Sequence, residues 1–272
     1  MKKRMIVVTV ALILLIALFS INRRLQTESL FKSIDAGDYD AATMAIDFGA
    51  NVNGYKHVAN IPALVMMNPT PLVQACKVGN EEIIKLLLEC GANVNLPDKI
   101  TGKTPLLAAL HGTKQNRFSL AFQLIEQGAD IHVVLDNNSP IAECLVFSED
   151  DSASTQAEGF ALLCYLLENG ASLDGIPFSE NALTYAAHYG NIDAIKYLLA
   201  NEYFDVDEYD EGGCTALICA VKHHQAAVVE ILLDYGASAL VEDSTGLTAV
   251  DYAMQNKNQM IVDMLLRRTW AC

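Results

Sequence analysis

Apolar and polar positions recur along most of this chain in a unit that returns about every 33 residues. The units open at Thr70-Pro71-Leu72, Thr104-Pro105-Leu106, Ser139-Pro140-Ile141, Asn181-Ala182-Leu183, Thr215-Ala216-Leu217 and Thr248-Ala249-Val250, with steps of 34, 35, 42, 34 and 33. Each opening predicts a helix start, because a Thr, Ser or Asn side chain can accept a hydrogen bond from the first turn and proline costs nothing at the first helical position. Five residues on stands a small side chain, Ala75, Ala109, Cys144, Ala186, Ala220 or Ala253, a row that lets neighbouring helices approach closely. A second helix carries paired aliphatics, Leu87-Leu88, Leu124-Ile125, Leu166-Leu167, Leu198-Leu199, Leu232-Leu233 and Leu265-Leu266, which predict the shared core. Gly91, Gly128, Gly170 and Gly236 follow, where a helix ends on a left-handed residue.

These residues resemble the ankyrin repeat, with its Thr-Pro-Leu-His start, its helix pair and its Gly-Ala-Asp-Val-Asn ending; Cys90-Gly91-Ala92-Asn93-Val94-Asn95 is a close copy of that ending. The resemblance covers about Glu28 to Cys272 and implies an all-α solenoid of about seven helix-pair repeats with short turn fingers. Repeats start near 28, 70, 104, 139, 181, 215 and 248. The first copy, Leu30 to Asn53, and the last, ending at Trp270, read as caps. No copy keeps the family's histidine: Val73, Leu107, Ala142, Thr184, Ile218 and Asp251 stand there, and only Thr184 and Asp251 offer a polar substitute. The fifth repeat replaces the terminal glycine with Glu202, lengthens its finger by one residue and leaves Asn201 as the expected left-handed cap. In the fourth, Ser148 to Gly159 predicts a solvated bulge between helices. Gly54 to Pro69, with Ile61, Leu64, Val65, Met66 and Met67, is too apolar to dangle in water.

The N-terminus departs from this pattern. Met1-Lys2-Lys3-Arg4 precedes an apolar run from Met5 to Ile21, and Asn22-Arg23-Arg24 follows it. Residues 1–24 therefore predict a signal peptide or a single transmembrane anchor, ahead of a repeat domain over 25–272. No Ala-x-Ala site follows the run, which favours an uncleaved anchor. The excess of basic charge before it places the repeats on the exported, periplasmic side of a bacterial-type cytoplasmic membrane.

Five of the 18 basic residues lie in the first 24 positions, so the remainder sets 13 against 33 acidic residues, a net charge of −20. Such a surface repels nucleic acid and anionic membranes, and suits a basic protein partner or simple solubility. Seven cysteines, with Cys76, Cys144 and Cys219 at core positions, predict mostly buried free thiols. No Gly-rich phosphate loop, His-Glu-x-x-His, Cys-x-x-Cys or Gly-x-Ser-x-Gly occurs, so no catalytic, metal or cofactor site is expected. His223 and His224 read as surface residues that cannot share a metal. The run Asp205 to Gly213 lacks calcium-loop spacing and reads as an acidic finger with aromatic anchors Tyr203, Phe204 and Tyr209 beside Asp207 and Asp210. The resemblance implies binding through finger tips and the concave face of the first helices, and the matching positions include Lys77, His111, His188, Tyr189, Lys222 and His223, with Phe178 and Tyr55 beside them. The expected function is non-catalytic protein recognition, with neutralisation or stabilisation of a partner enzyme as one version. A structural membrane tether with low-specificity contacts is the alternative.

Overall fold

The structure is a computed structural model and describes residues 2–56, 69–113, 115–146 and 151–269, with side chains from Val10 to Arg268. The apolar finger residues Ile61 to Met67, and Trp270, lie outside the described residues. The chain divides into two units, Met1–Asp130 and Ile131–Cys272. In the first, α1 (Lys2–Ala36) pairs with α2 (Tyr39–Asp47), α3 (Pro71–Val78) with α4 (Glu81–Glu89), and α5 (Pro105–Leu110) with α6 (Arg117–Glu126). In the second, the pairs are α7 (Pro140–Leu145) with α8 (Ala153–Glu168), α9 (Ala182–Tyr189) with α10 (Ile192–Ala200), α11 (Ala216–Lys222) with α12 (Ala226–Asp234), and α13 (Ala249–Gln255) with α14 (Gln259–Thr269). Within each unit the first helices stack on one another, α1 on α3 and α3 on α5, then α7 on α9, α9 on α11 and α11 on α13. Among the described residues the only β pairing is the single bridge between Glu242 and Thr248.

The helix starts follow from the sequence. Thr70, Thr104, Ser139, Asn181, Thr215 and Thr248 all act as N-caps, each accepting a backbone N–H three residues on. Where the missing histidine stands, Thr184 and Asp251 turn back to accept the N-cap backbone N–H, at 2.9 Å in both cases, and complete capping boxes. The small-residue row is fully buried, from Ala75 through Cys144 to Ala253. The first member of every aliphatic pair is sealed in the core: Leu87, Leu124, Leu166, Leu198, Leu232 and Leu265 are each 0% exposed, and Leu167 and Leu233 are buried with them. Their neighbours Leu88, Ile125, Leu199 and Leu266 are only half-buried, because consecutive residues on a helix point about 100° apart.

Side-chain amides join successive fingers. Asn53 Oδ1 accepts the Asn93 N–H at 2.7 Å while its Nδ2 donates to the Gly91 carbonyl, and Asn95 repeats both bonds with Asp130 and Gly128. Asp207 takes this position in the second unit and accepts the Ser238 N–H at 3.0 Å, so the extra finger residue is accommodated before it. The expectation for Asn201 is corrected here: Asn201 has φ −98°, and Glu202 itself takes the left-handed position at φ +55°. The two bonds that close the helix decide this. Glu202 N–H reaches Leu199 O and Tyr203 N–H reaches Leu198 O, as Gly91 and Ala92 do with Leu88 and Leu87. The fourth-repeat bulge is corrected too. Ser152 caps α8, and Ala153 to Gly159 extend that helix at its N-terminus, because the segment holds Ala, Gln and Glu with no breaker before Gly159.

The 35 residues of α1 continue without a break past position 24, where a domain boundary was expected. Its C-terminal part is the first helix of the first helix pair, with Leu30, Phe31 and Ile34 buried. Its apolar N-terminal part is bare: Leu12 to Phe19 carry large side chains 57–66% exposed. The segment Val10–Ala36 is long and apolar enough to cross a membrane.

Candidate functional site

In the second unit, four of the expected residues converge on one cleft. Tyr203, Phe204, Tyr209 and Asp210 line a cavity of about 530 Å³, with Asp136, Asp174, Glu180, Glu208 and Glu211 around it. None of the described lining residues is basic. Tyr203 is positioned within its own repeat, stacking on Tyr197 of α10 at 6.4 Å, and the exposed Tyr209 by the next finger, donating its hydroxyl to the Glu242 carbonyl at 3.0 Å. Asp210 is buried and closes the finger turn by accepting the Cys214 N–H at 2.8 Å, so its charge belongs to the cleft wall as much as to the rim.

At the inner end of the cleft sits Glu180, the residue before the N-cap of α9. Its Oε1 lies 3.1 Å from His188 Nδ1, while its Oε2 and the Nδ2 of Asn181 are buried without a partner among the described residues. Burial, and then the charge of Asp210, push the Glu180 carboxyl up to about 7. Burial lowers the pKa of His188. Folded Glu180 therefore holds its proton where an unfolded carboxyl has lost it, and its contribution to stability falls as pH rises through roughly 4.3 to 7. Glu180→Gln is expected to remove this slope, so that wild type loses about 1–2 kcal/mol relative to the variant between pH 5 and pH 8. Urea unfolding at the two pH values checks it; equal slopes for both proteins would refute the assignment.

The histidine continues into an aromatic ladder on the first helices. His188 stacks on His223 at 3.5 Å and on Tyr189 at 4.5 Å, and the exposed Phe178 lies 6.3 Å from it. Burial, followed by the neighbouring His188 and Lys222, lowers the pKa of His223, since two stacked imidazoles resist carrying charge together. Phe178, His188, Tyr189 and His223 thus form one surface that Glu180 joins to the cleft.

The remaining expected residues are placed elsewhere. Lys222 does not project freely: its Nζ lies 3.1 Å from Cys214 Sγ, 3.4 Å from Asp243 and 4.4 Å from the Tyr252 ring centre. Asp207 serves the finger ladder. In the first unit Lys77 and His111 are exposed on the last turn of α3 and the C-cap of α5, and Tyr55 lies under Lys99 Nζ at 5.8 Å in a separate hollow against α1. Glu180, Asn181, Asp136 and Asp174 carried no sequence signal as site residues, because nothing local tells a carboxylate on a cleft wall from a solvated one. Of the six described cysteines, none in a disulfide, Cys76, Cys144 and Cys219 are buried, Cys90 is exposed, and Cys164 and Cys214 are half-buried. Buried thiols are thus half of the set and not most of it. Among the described residues no group of three His, Cys, Asp or Glu side chains is arranged to hold a metal.

Comparison with known proteins bears on the fold that carries this cleft. A family model described as ankyrin repeats in three copies matches residues 30–135 and 133–243. The chain is 28% identical over 209 residues to YahD, a protein of Escherichia coli K12 named for its ankyrin repeats, covering 73% of this chain and 95% of YahD. It is 30% identical over 236 residues to the ankyrin repeat and KH domain-containing protein mask-1 of Caenorhabditis elegans, covering 80% of this chain but 8% of that much longer protein. The crystal structure of the human ASB11 ankyrin repeat domain superposes with a TM-score of 0.65 at 27% identity, covering 88% of this chain and 96% of that domain.

Proposed function

Because this chain belongs to the ankyrin repeat family, whose repeats are protein–protein interaction modules, we propose that it recognises a basic protein partner through the acidic cleft and aromatic ladder of its second unit. The observation that carries this reading is the cleft itself: six acidic side chains and three aromatic rings line it, none of its described lining residues is basic, and Glu180 Oε2 has no partner among the described residues. A lysine or arginine side chain entering there meets a negative field, and an apolar stem can lie on Tyr203 and Phe204. The bare N-terminal part of α1 supports a location at a membrane, as anchor or export signal, and the basic excess ahead of it favours the outer face of a cytoplasmic membrane for the repeats. Binding there would neutralise or stabilise the partner without chemistry on it.

Crosslinked co-purification tests recognition and location together. A membrane-impermeant crosslinker is applied to spheroplasts making the tagged full-length chain, beside a variant with alanine at Tyr189, Tyr203, Phe204 and Tyr209. We expect one basic protein in near-equal amount from wild type, and at least a tenfold loss in the variant, since buried aromatic anchors are each worth about 1–2 kcal/mol or more. Recovery only with a permeant reagent would refute the outward placement. A diffuse set of membrane proteins, unchanged by the variant, would replace recognition with a membrane tether.

A further inference from the structure

A second cluster of reactive groups lies beside the finger, outside the recognition surface. Cys214 stands two residues before the first residue of α11, with Thr215 as N-cap between, and Cys219 is on the first turn of that helix. These are the positions at which side chains before and after a cap meet, and the Cys219 thiol favours the ionised form of Cys214. The Lys222 ammonium donates to the Cys214 sulfur at 3.1 Å. That ammonium is itself held, by Asp243 and over the Tyr252 ring, whose hydroxyl donates to Asp243 Oδ2 at 2.7 Å. The Cys214 backbone is fixed as well, paired with Asp210 through its N–H at 2.8 Å and its carbonyl at 2.9 Å.

This arrangement separates Cys214 from the other thiols. Cys76 and Cys144 are sealed in the core, and burial raises the Cys76 pKa far above the ordinary thiol range. Cys214 is half-buried, and the Cys219 donor together with Lys222 brings its thiol down to about 6, against the opposing effects of partial burial and Asp210. Cys219 moves the opposite way, as a donor in a buried place must. A cysteine ionised near neutral pH, partly open to solvent and pinned beside a fixed cation has the features that make a thiol reactive.

We propose that Cys214 is a site of reversible thiolation, at which the chain forms a mixed disulfide with a low-molecular-weight disulfide. The Cys214 thiolate attacks one sulfur of the disulfide and a new S–S bond forms. The original S–S bond breaks, and the second sulfur leaves as a thiolate that takes its proton from solvent. One sulfur is oxidised and one reduced, and excess small thiol reverses the exchange. Lys222 stabilises the attacking sulfur and Cys219 keeps its proton. The adduct stands beside Asp210, a wall of the acidic cleft, so thiolation would change what that cleft admits.

The test uses the full-length protein in detergent, cystine as the probe, acid quenching, and peptide mapping of the occupancy of Cys214 and Cys90. Counting both the larger thiolate fraction and its lower intrinsic nucleophilicity, Cys214 should react roughly tenfold faster than an ordinary thiol at pH 6, with a pH midpoint near 6. Lys222→Met should slow Cys214 severalfold at pH 6 and move its midpoint upward, Lys222→Arg should retain most of the rate, and Cys219→Ala should also raise the midpoint. Circular dichroism checks that each variant keeps its helices. If Lys222→Met does not fold, the Cys219→Ala profile decides. Cystine modifying exposed Cys90 faster than Cys214 at pH 6, or a midpoint unmoved in the folded variants, overturns the proposal.

Discussion

Replacing Leu87 with alanine is expected to destabilise the first unit by about 3–4 kcal/mol. Leu87 is 0% exposed on α4, which packs on α3 and α2. Truncation there loses the transfer free energy of the removed carbons and leaves a cavity that two flanking helices, each held by its own cap, cannot fill. In a stack each repeat is stabilised by its neighbours, so the loss should spread to α3 and not stay in α4. Leu88→Ala is the control, because its side chain is half-buried and should cost less than half as much. Amide exchange in α3 and α4 of the full-length protein reads both effects. Equal costs at the two positions would contradict the division of the Leu87-Leu88 pair into a buried and a half-buried member.

Asp243→Ala is expected to cost about 2–3 kcal/mol in the second unit at neutral pH, and to cost much less in acid. The carboxylate is buried and gathers bonds from Thr245 N–H at 2.8 Å, the Thr245 hydroxyl, Leu247 N–H and the Tyr252 hydroxyl, with Lys222 at 3.4 Å. Burial by itself would raise its pKa, but the Thr245, Tyr252 and Leu247 bonds outweigh that and hold the carboxyl well below the usual carboxylate range. The folded chain thus binds fewer protons here than the unfolded chain. The resulting stability is fully present above the ordinary aspartate value near 4 and is lost as pH falls below it. Charge-assisted bonds of this kind are worth about 1.5–3 kcal/mol, and removing the acceptor leaves two N–H groups of the turn without it. Urea unfolding at pH 7 and pH 3 should therefore show the variant and wild type converging in acid. A constant difference between them would mean that Asp243 acts through shape and not through charge.

The helix-pair repeats follow from local rules, and those rules hold. The cap, the small residue five positions later and the leucine of the second helix are each dictated within about 20 residues, and Thr104, Ala109 and Leu124 all take the places their spacing implies. Local rules misled where two of them competed. Asn201 is the better left-handed residue, yet the closing bonds of α10 demand that conformation one position later, and Glu202 accepts the strain, of order 1 kcal/mol. The segment before Gly159 looked like a loop by charge, but its helix propensity and the Ser152 cap carried it into α8.

The candidate site was legible in its residue types and not in its partners. Aromatic and acidic residues crowd the finger from Tyr203 to Glu211, and that alone marks a surface. Lys222 was expected to face a partner, but the stack of α11 on α13 brings Asp243 and Tyr252 to it and turns it inward to Cys214. What the sequence determined by itself is the repeat, its caps, its buried row and its acidic charge, all of which arise from residues close in the chain. Only the tertiary structure decided that Glu180 meets His188, that His188 stacks on His223 35 residues away, and that the Lys222 ammonium meets the Cys214 sulfur. Those contacts depend on the offset between stacked repeats. Many side-chain patterns are compatible with one repeat, and the stacking geometry selects which of them touch.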